Sequence, residues 1–169
     1  MILGILSDNH GHPKRVRRAL DVLRSAGAEA FAHCGDIGDA DVFDELAGER
    51  CWFVWGNNDW PDGPLLAAVK RAGLTPPIDV PLRFELGGRR FPIYHGHQPG
   101  VQHKIERLEF GEPGGAGVDY VLFGHTHVPA DARLGGARLI NPGALHRAAV
   151  RTVATLDLAR DELASHVVE

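Results

Sequence analysis

Short apolar runs recur along this chain, and most end in a polar block that contains glycine. Ile2 to Leu6 is the first such run and predicts a buried strand. The stretch from about Pro13 to Ala26 predicts a helix, because Pro13 suits a first helical turn and Gly27 the position just past the last one. Ala30 to Ala32 predicts a second strand leading into Gly35-Asp36. Val42 to Ala47 predicts a short helix ending at Gly48, and Cys51 to Trp55 a third strand leading into Gly56-Asn57. The order is β-α-β-α-β.

A further helix is expected over Leu65 to Ala72, after which the pattern changes. Gly87-Gly88 joins two alternating runs, Leu82 to Leu86 and Arg89 to Tyr94, as in a hairpin. Val101, Ile105 and Leu108 share one face of a helix over Val101 to Phe110, and Val118 to Phe123 reads as a buried strand leading into Gly124-His125. Hairpins dominate the rest. Gly135-Gly136 separates Ala130 to Leu134 from Ala137 to Ile140, while Val150 to Leu158 and Leu163 to Val168 flank a turn at Arg160-Asp161. Two sheets packed face to face with helices outside is the architecture this pattern predicts, in one domain over residues 1–169.

Five of the polar blocks share a chemistry: Asp8-Asn9-His10, Gly35-Asp36-Ile37-Gly38-Asp39, Gly56-Asn57-Asn58-Asp59, His95-Gly96-His97 and Gly124-His125-Thr126-His127. Each follows a run read as a buried strand, so each projects its side chains from a strand end toward one rim. Taken singly they have plain readings. Asp-x-His also marks a capped helix start with a solvated imidazole, and Gly-Asp and Gly-Asn are ordinary turn dipeptides. The histidine pairs resist that reading, because imidazoles after strand ends waste buried polar groups unless they bind something. Together the blocks supply carboxylate, amide-oxygen and imidazole donors for two metal ions.

In this order the blocks resemble the signature of the calcineurin-like metallophosphoesterases: Asp-x-His, Gly-Asp-x-x-Asp, Gly-Asn-(His or other)-(Asp or Glu), His, and Gly-His-x-His, met here between residues 8 and 127. Ser7 to Gly11 and Asn141-Pro142-Gly143 extend the likeness to the small single-domain bacterial and archaeal phosphodiesterases. The resemblance implies a four-layer α/β/β/α sandwich of two mixed sheets flanked by helices. It also implies a hydrolase that uses a binuclear metal centre and a bridging hydroxide to cleave a nucleotide-like or other small phosphodiester.

Carried over by position, the resemblance gives Asp8, His10, Asp36 and His127 to a first metal and Asp36, Asn57, His95 and His125 to a second, with Asp36 bridging. The cations would neutralise phosphate oxygens, orient an in-line attack and lower the pKa of a bound water from about 15.7 toward neutrality. Carboxylate, amide oxygen and imidazole suit Mn, Ni, Co, Fe or Zn alike, and the lack of thiolate argues against a structural zinc-cysteine site. Manganese is the leading expectation.

One position departs from the family. Many members carry histidine after Gly-Asn, where it contacts the phosphate and can protonate the leaving oxygen; this chain has Asn58. An amide can hydrogen-bond a phosphate oxygen but cannot act as a general acid. Slow hydrolysis, favouring phosphodiesters and activated esters, is therefore expected. Asn58 and His97 are the candidate catalytic contacts, with His97 read as supporting rather than as the acid. Asp39 and Asp59 are read either as support for the ligand loops or as turn caps. His12 is read as a helix cap beside Pro13, with a proton or a supporting contact at the rim as the alternative, and Trp60 as a stacking platform or a cover over the cleft. His103, Lys104 and Arg107 are read as a solvated helix face, with contact to substrate phosphates as the alternative.

Composition narrows the remainder. A formal net charge of −4 and a pI near 6.2 give no broad basic footprint, so no specific nucleic-acid partner is indicated. Cys34 and Cys51 lie in apolar runs outside any Cys-x-x-Cys pair and read as reduced core residues. No run approaches the ~18–20 apolar residues of a membrane span, and Asp8 follows the N-terminus too closely for a cleavable leader. A cytoplasmic protein acting on a small phosphodiester is expected, with no membrane partner, and the resemblance leaves a homo-oligomer open. Two other readings carry weight: a non-catalytic metal-binding scaffold or regulatory module of the same fold, and a phosphoprotein phosphatase. All seven ligand positions are filled, which speaks against an inert scaffold.

Overall fold

A computed structural model describes residues 1–101, 103, 117–134 and 136–169. In chain order its elements are β1 (Ile2–Leu6), α1 (Pro13–Ser25), β2 (Ala30–His33), α2 (Asp41–Glu45), β3 (Cys51–Phe53), α3 (Gly63–Arg71), β4 (Leu82–Leu86) and β5 (Arg89–Ile93). They continue with β6 (Tyr120–Leu122), β7 (Ala130–Leu134), β8 (Ala137–Asn141), β9 (Thr152–Asp157) and β10 (Glu162–Val167). The expected helix over 101–110, with Lys104 and Arg107, lies outside the described residues except for Val101 and His103, and so does Gly135 of the last glycine pair.

The strands form two mixed five-stranded sheets, ordered β10-β9-β1-β2-β3 and β4-β5-β6-β8-β7. β1, β2 and β3 run parallel, with Leu3 opposite Ala30 and Phe31 opposite Cys51. In the second sheet β5, β6 and β8 run parallel, with Ile93 opposite Leu122 and Tyr120 opposite Arg138. The expected hairpins are present as β4–β5, β7–β8 and β9–β10.

Strand alternation sorts the apolar side chains of the first sheet into two cores. Leu3 and Ile5 of β1, Ala30 and Ala32 of β2 and Trp52 of β3 face the second sheet. Leu6, Phe31 and Phe53, one residue out of phase, face the helices together with Val16, Leu20 and Leu23 of α1 and Leu65, Ala68 and Val69 of α3. Full burial of a side chain such as Phe31 contributes about 1.5–3 kcal/mol. The sheets are joined by a row of stacked rings: Trp52 on Phe84, Phe84 on Phe91 and Phe91 on Tyr120, with centroids 4.2, 4.8 and 4.9 Å apart. Both cysteines are free. Cys34 is fully buried and Cys51 partly so.

This packing brings the carboxyl ends of β1, β2, β3, β5 and β6 to one rim, and each of the five polar blocks begins within a few residues of one of those ends. Among the described residues no helix is long and apolar enough to cross a membrane.

Candidate metal centre

The loops at this rim are wound tightly. Asp8, His10, Asp36, His125 and His127 all hold positive φ, between 48° and 67°, in the left-handed region that non-glycine residues avoid. Each such position costs on the order of 1–2 kcal/mol, so the surrounding loops must over-determine it. They do so through main-chain hydrogen bonds: the amides of Asp8, His10 and Gly11 donate to the carbonyls of Gly35, Asp36 and Ile37. Two glycines allow the close approach of neighbouring loops. A Cβ on Gly56 would collide with the Asp36 carboxylate and amide, and one on Gly124 with Ser7 Oγ.

His95 is fully buried, and its Nδ1 donates to the Cys34 carbonyl at 2.7 Å, which leaves Nε2 as an acceptor in the neutral ring. That nitrogen faces Asn57 Oδ1 at 3.1 Å, Asp36 Oδ1 at 3.5 Å and Asp8 Oδ1 at 4.0 Å. Four acceptors converging on one space are what a cation completes. Burial pushes His95 toward neutrality, yet the bond to Asp36 and the Asp8 and Asp36 charges outweigh it and raise the pKa. Asp36 shows the reciprocal effect. Burial would raise its pKa, but His95 and the main-chain and side-chain amides of Asn58, at 2.9 and 2.7 Å, hold it well below the usual carboxylate range.

Asp36 spans the cluster, with Oδ1 toward His95 and Oδ2 3.5 Å from His10 Nε2. Asp8 spans it too. Its Oδ2 accepts from the Ser7 hydroxyl and the His125 amide, while Oδ1 lies 3.2 Å from His127 Nε2. Among the described residues Oδ1 of Asp8 is the one buried side-chain polar atom without a hydrogen-bond partner. An unpaired buried carboxylate oxygen is expensive, and burial raises the Asp8 pKa despite Ser7, His95 and His127. The donor atoms of Asp8, His10 and His127 come together within 4.8 Å, as do those of Asp8, Asp36 and His95. The residues thus fit a divalent metal in number, donor type and unsatisfied charge.

Not every expected position sits equally deep. The His125 ring, 5.1 Å from His95, belongs to neither compact group, and Asn57 is exposed at the mouth. His97 is exposed beside them, with its ring 5.3 Å from His95 and 6.2 Å from His125. Burial, then the neighbouring His95 and His125, lower its pKa, and burial likewise lowers those of His10 and His125. Asp39 and Asp59 part company. Asp59 is buried and accepts from the Gly38 and Gly56 amides at 2.7 Å each, tying the Asp36 loop to the Asn57 loop. Asp39 is exposed and accepts from the Asp41 amide, a turn contact. Trp60, 81 % exposed, is no packed cover, and His12 occupies the N-cap of α1 without a side-chain cap bond.

Several supports escaped the sequence reading. His33 is fully buried and neutral, its pKa lowered to about 3 by burial and the nearby His95. Its Nε2 donates to Asn9 Oδ1 at 2.7 Å and its Nδ1 accepts from the Gly35 amide, while Asn9 Nδ2 donates to the Ile37 carbonyl. This chain of bonds props the loop of Asp8 against the loop of Asp36. Asn141 likewise anchors the Gly124 carbonyl and the Thr126 hydroxyl through Nδ2. His146 packs its ring 5.3 Å from His10, and the carbonyl of Arg147 faces His127 Nδ1 at 3.5 Å. The signals for Asn9 and His33 were their places beside Asp8 and at the end of β2. Nothing local marked His146 or Arg147.

A model of the calcineurin-like phosphoesterase superfamily domain matches residues 1–161. A phosphodiesterase of Methanocaldococcus jannaschii is 29% identical over 173 residues, covering 100% of both chains. Among solved structures, an archaeal phosphodiesterase superposes with a TM-score of 0.82 at 27% identity, over 99% of this chain and 100% of its own. A zinc-complexed Vps29 of Entamoeba histolytica superposes at 0.63 with 19% identity, over 99% of this chain and 98% of its own, a likeness of fold alone.

Proposed function

Because the chain belongs to the calcineurin-like phosphoesterase superfamily, we propose that it is a phosphodiesterase built on a two-metal centre. Asp8, His10, Asp36 and His127 would hold one ion, and Asp36, Asn57, His95 and His125 the other, with manganese the first candidate. The observation that carries the reading is the partnerless Oδ1 of buried Asp8, set 3.2 Å from His127 Nε2 and 4.0 Å from His95 Nε2. When bound, such ions supply Lewis-acid neutralisation of the phosphate and an acidified water.

The chain's own groups do the rest. Asn9, His33 and Asp59 hold the ligand loops in register. His95 is kept in one tautomer by Cys34, and Asp59 ties the Asn57 loop to that of Asp36. Asn58 Nδ2 now donates to Asp36 Oδ2, and from the same place it can donate to a phosphate oxygen. His97 stands at the mouth, where burial and the neighbouring His95 and His125 lower its pKa and so make it a poorer general acid near pH 7. Leaving groups must therefore depart with little protonation, which favours diesters with acidic leaving groups and disfavours alkyl monoesters.

Chelator-stripped protein should cleave neither an activated bis-aryl phosphodiester nor its monoester. Adding Mn, Ni or Co should restore the diester reaction first. Vigorous cleavage of alkyl monoesters would contradict the reading, and a protein that binds two ions tightly with no hydrolysis under any metal would replace it with a regulatory module or scaffold.

A further inference from the structure

Beside the metal cluster, where α1 begins, a cavity of about 440 Å³ is lined by His12, Pro13, Lys14, Arg15, Arg18 and Arg151. No carboxylate lines it, although the chain as a whole carries a net charge of −4. The other arginines of α1 are neutralised: Arg17 pairs with Glu45 at 2.7 Å and Arg24 with Glu49 and Asp21. The cavity's cations are handled differently. Arg15 donates to the Leu145 carbonyl at 3.1 Å and to His146 Nδ1 at 2.7 Å, bonds that aim the guanidinium without cancelling its charge. Arg18 donates at 2.8 Å to the main-chain oxygen of Glu169, the final residue of the sequence, so it faces a terminal carboxylate and is not one of the unneutralised cations. Lys14 and half-buried Arg151 have no carboxylate partner among the described residues.

The cavity is joined to the metal cluster by a row of imidazoles. His10 packs against His146 at 5.3 Å, and His146 against His12 at 4.6 Å, between centroids. Two ring contacts thus separate a proposed metal ligand from the cationic cavity. We propose that this cavity is a subsite for a second phosphate of the substrate, so that the preferred diester carries a terminal phosphate beside the scissile one. The proposal rests on the phosphodiesterase reading for the identity of the scissile group. Unneutralised guanidinium and ammonium groups in a concave site select a dianionic terminal phosphate over a neutral hydroxyl end.

Calorimetry on the metal-free protein tests this without turnover. A thymidine dinucleotide carrying a 5′-phosphate should bind about tenfold more tightly than the same dinucleotide without it. Lys14→Gln combined with Arg151→Gln should erase that difference and leave the unphosphorylated dinucleotide unaffected, while Lys14→Arg should retain it. Excess inorganic phosphate should compete with the phosphorylated dinucleotide only. Equal affinity of the unaltered protein for both dinucleotides, including no measurable binding of either, overturns the proposal, and so does equal weakening of both in the variant or binding of inorganic phosphate without competition. The metal add-back on the bis-aryl diester decides the phosphodiesterase reading separately.

Discussion

Asp36 and Asn58 show how one side chain can set the chemistry of the rim. Asp36 is kept ionised by His95 and by two amide groups of Asn58, so its two oxygens are available to both halves of the cluster across the pH range where enzymes work. The sign follows from the shift: a carboxylate whose pKa is depressed contributes stability above its unfolded value near 3.8 and loses it only as pH falls toward its folded value. Asn58 holds that carboxylate but has no proton to give. Asn58→His should keep a donor near Asp36 and add a group able to protonate a leaving oxygen. Turnover of alkyl esters should rise by roughly 10²-fold, with little change for an aryl diester whose leaving group needs no acid. Measuring both substrates side by side separates this from a general loss or gain of activity.

The strands determine where those side chains stand. β1 and β2 are buried on both faces, which is why they read as unbroken apolar runs rather than as alternating ones. Beyond β1 and β2 the chain leaves the ladder and bends into positive φ at Asp8, His10 and Asp36. Their alignment at one rim depends on how the second sheet is seated, and the ring row of Trp52, Phe84, Phe91 and Tyr120 fixes that seating. Phe91→Ala removes the ring stacked on both sides and should cost about 3–5 kcal/mol, read as a lower denaturation midpoint with little change in the urea slope. Unchanged stability would mean that the two sheets are held in place without this row.

Across the whole molecule, the cluster stores unfavourable terms that a metal would relieve: an orphaned buried oxygen, converging acceptors and five left-handed backbone positions. An ion that binds the folded chain alone stabilises it by about 2.7 kcal/mol at a hundredfold excess over Kd. For a domain of this size that is several degrees in Tm. Manganese should therefore raise the Tm of chelator-stripped protein, and Asp36→Asn should abolish most of the rise while folding on its own. A Tm indifferent to metal in the unaltered protein would argue that the rim is satisfied without one.

Much of this was written locally in the chain. Among the described residues the ten strands and three helices follow from runs whose period, glycines and prolines act over a few neighbouring residues, and boundaries moved by only a residue or two, as where Cys51 to Trp55 became Cys51–Phe53. The ordered polar blocks pointed to the rim for the same reason, since each is short and contiguous. Other features depended on contacts between residues far apart in sequence. His33 reads as one more polar residue until folding buries it against Asn9, and Asp39 and Asp59 look alike until one of them bridges two loops. Lys14 and Arg151 lie more than a hundred residues apart, and only the pairing of β9 with β1 beside α1 gathers them into one cavity. Local sequence biases backbone conformation and hydrophobic face, whereas burial, charge neighbourhood and cavity shape are set by which distant segments meet.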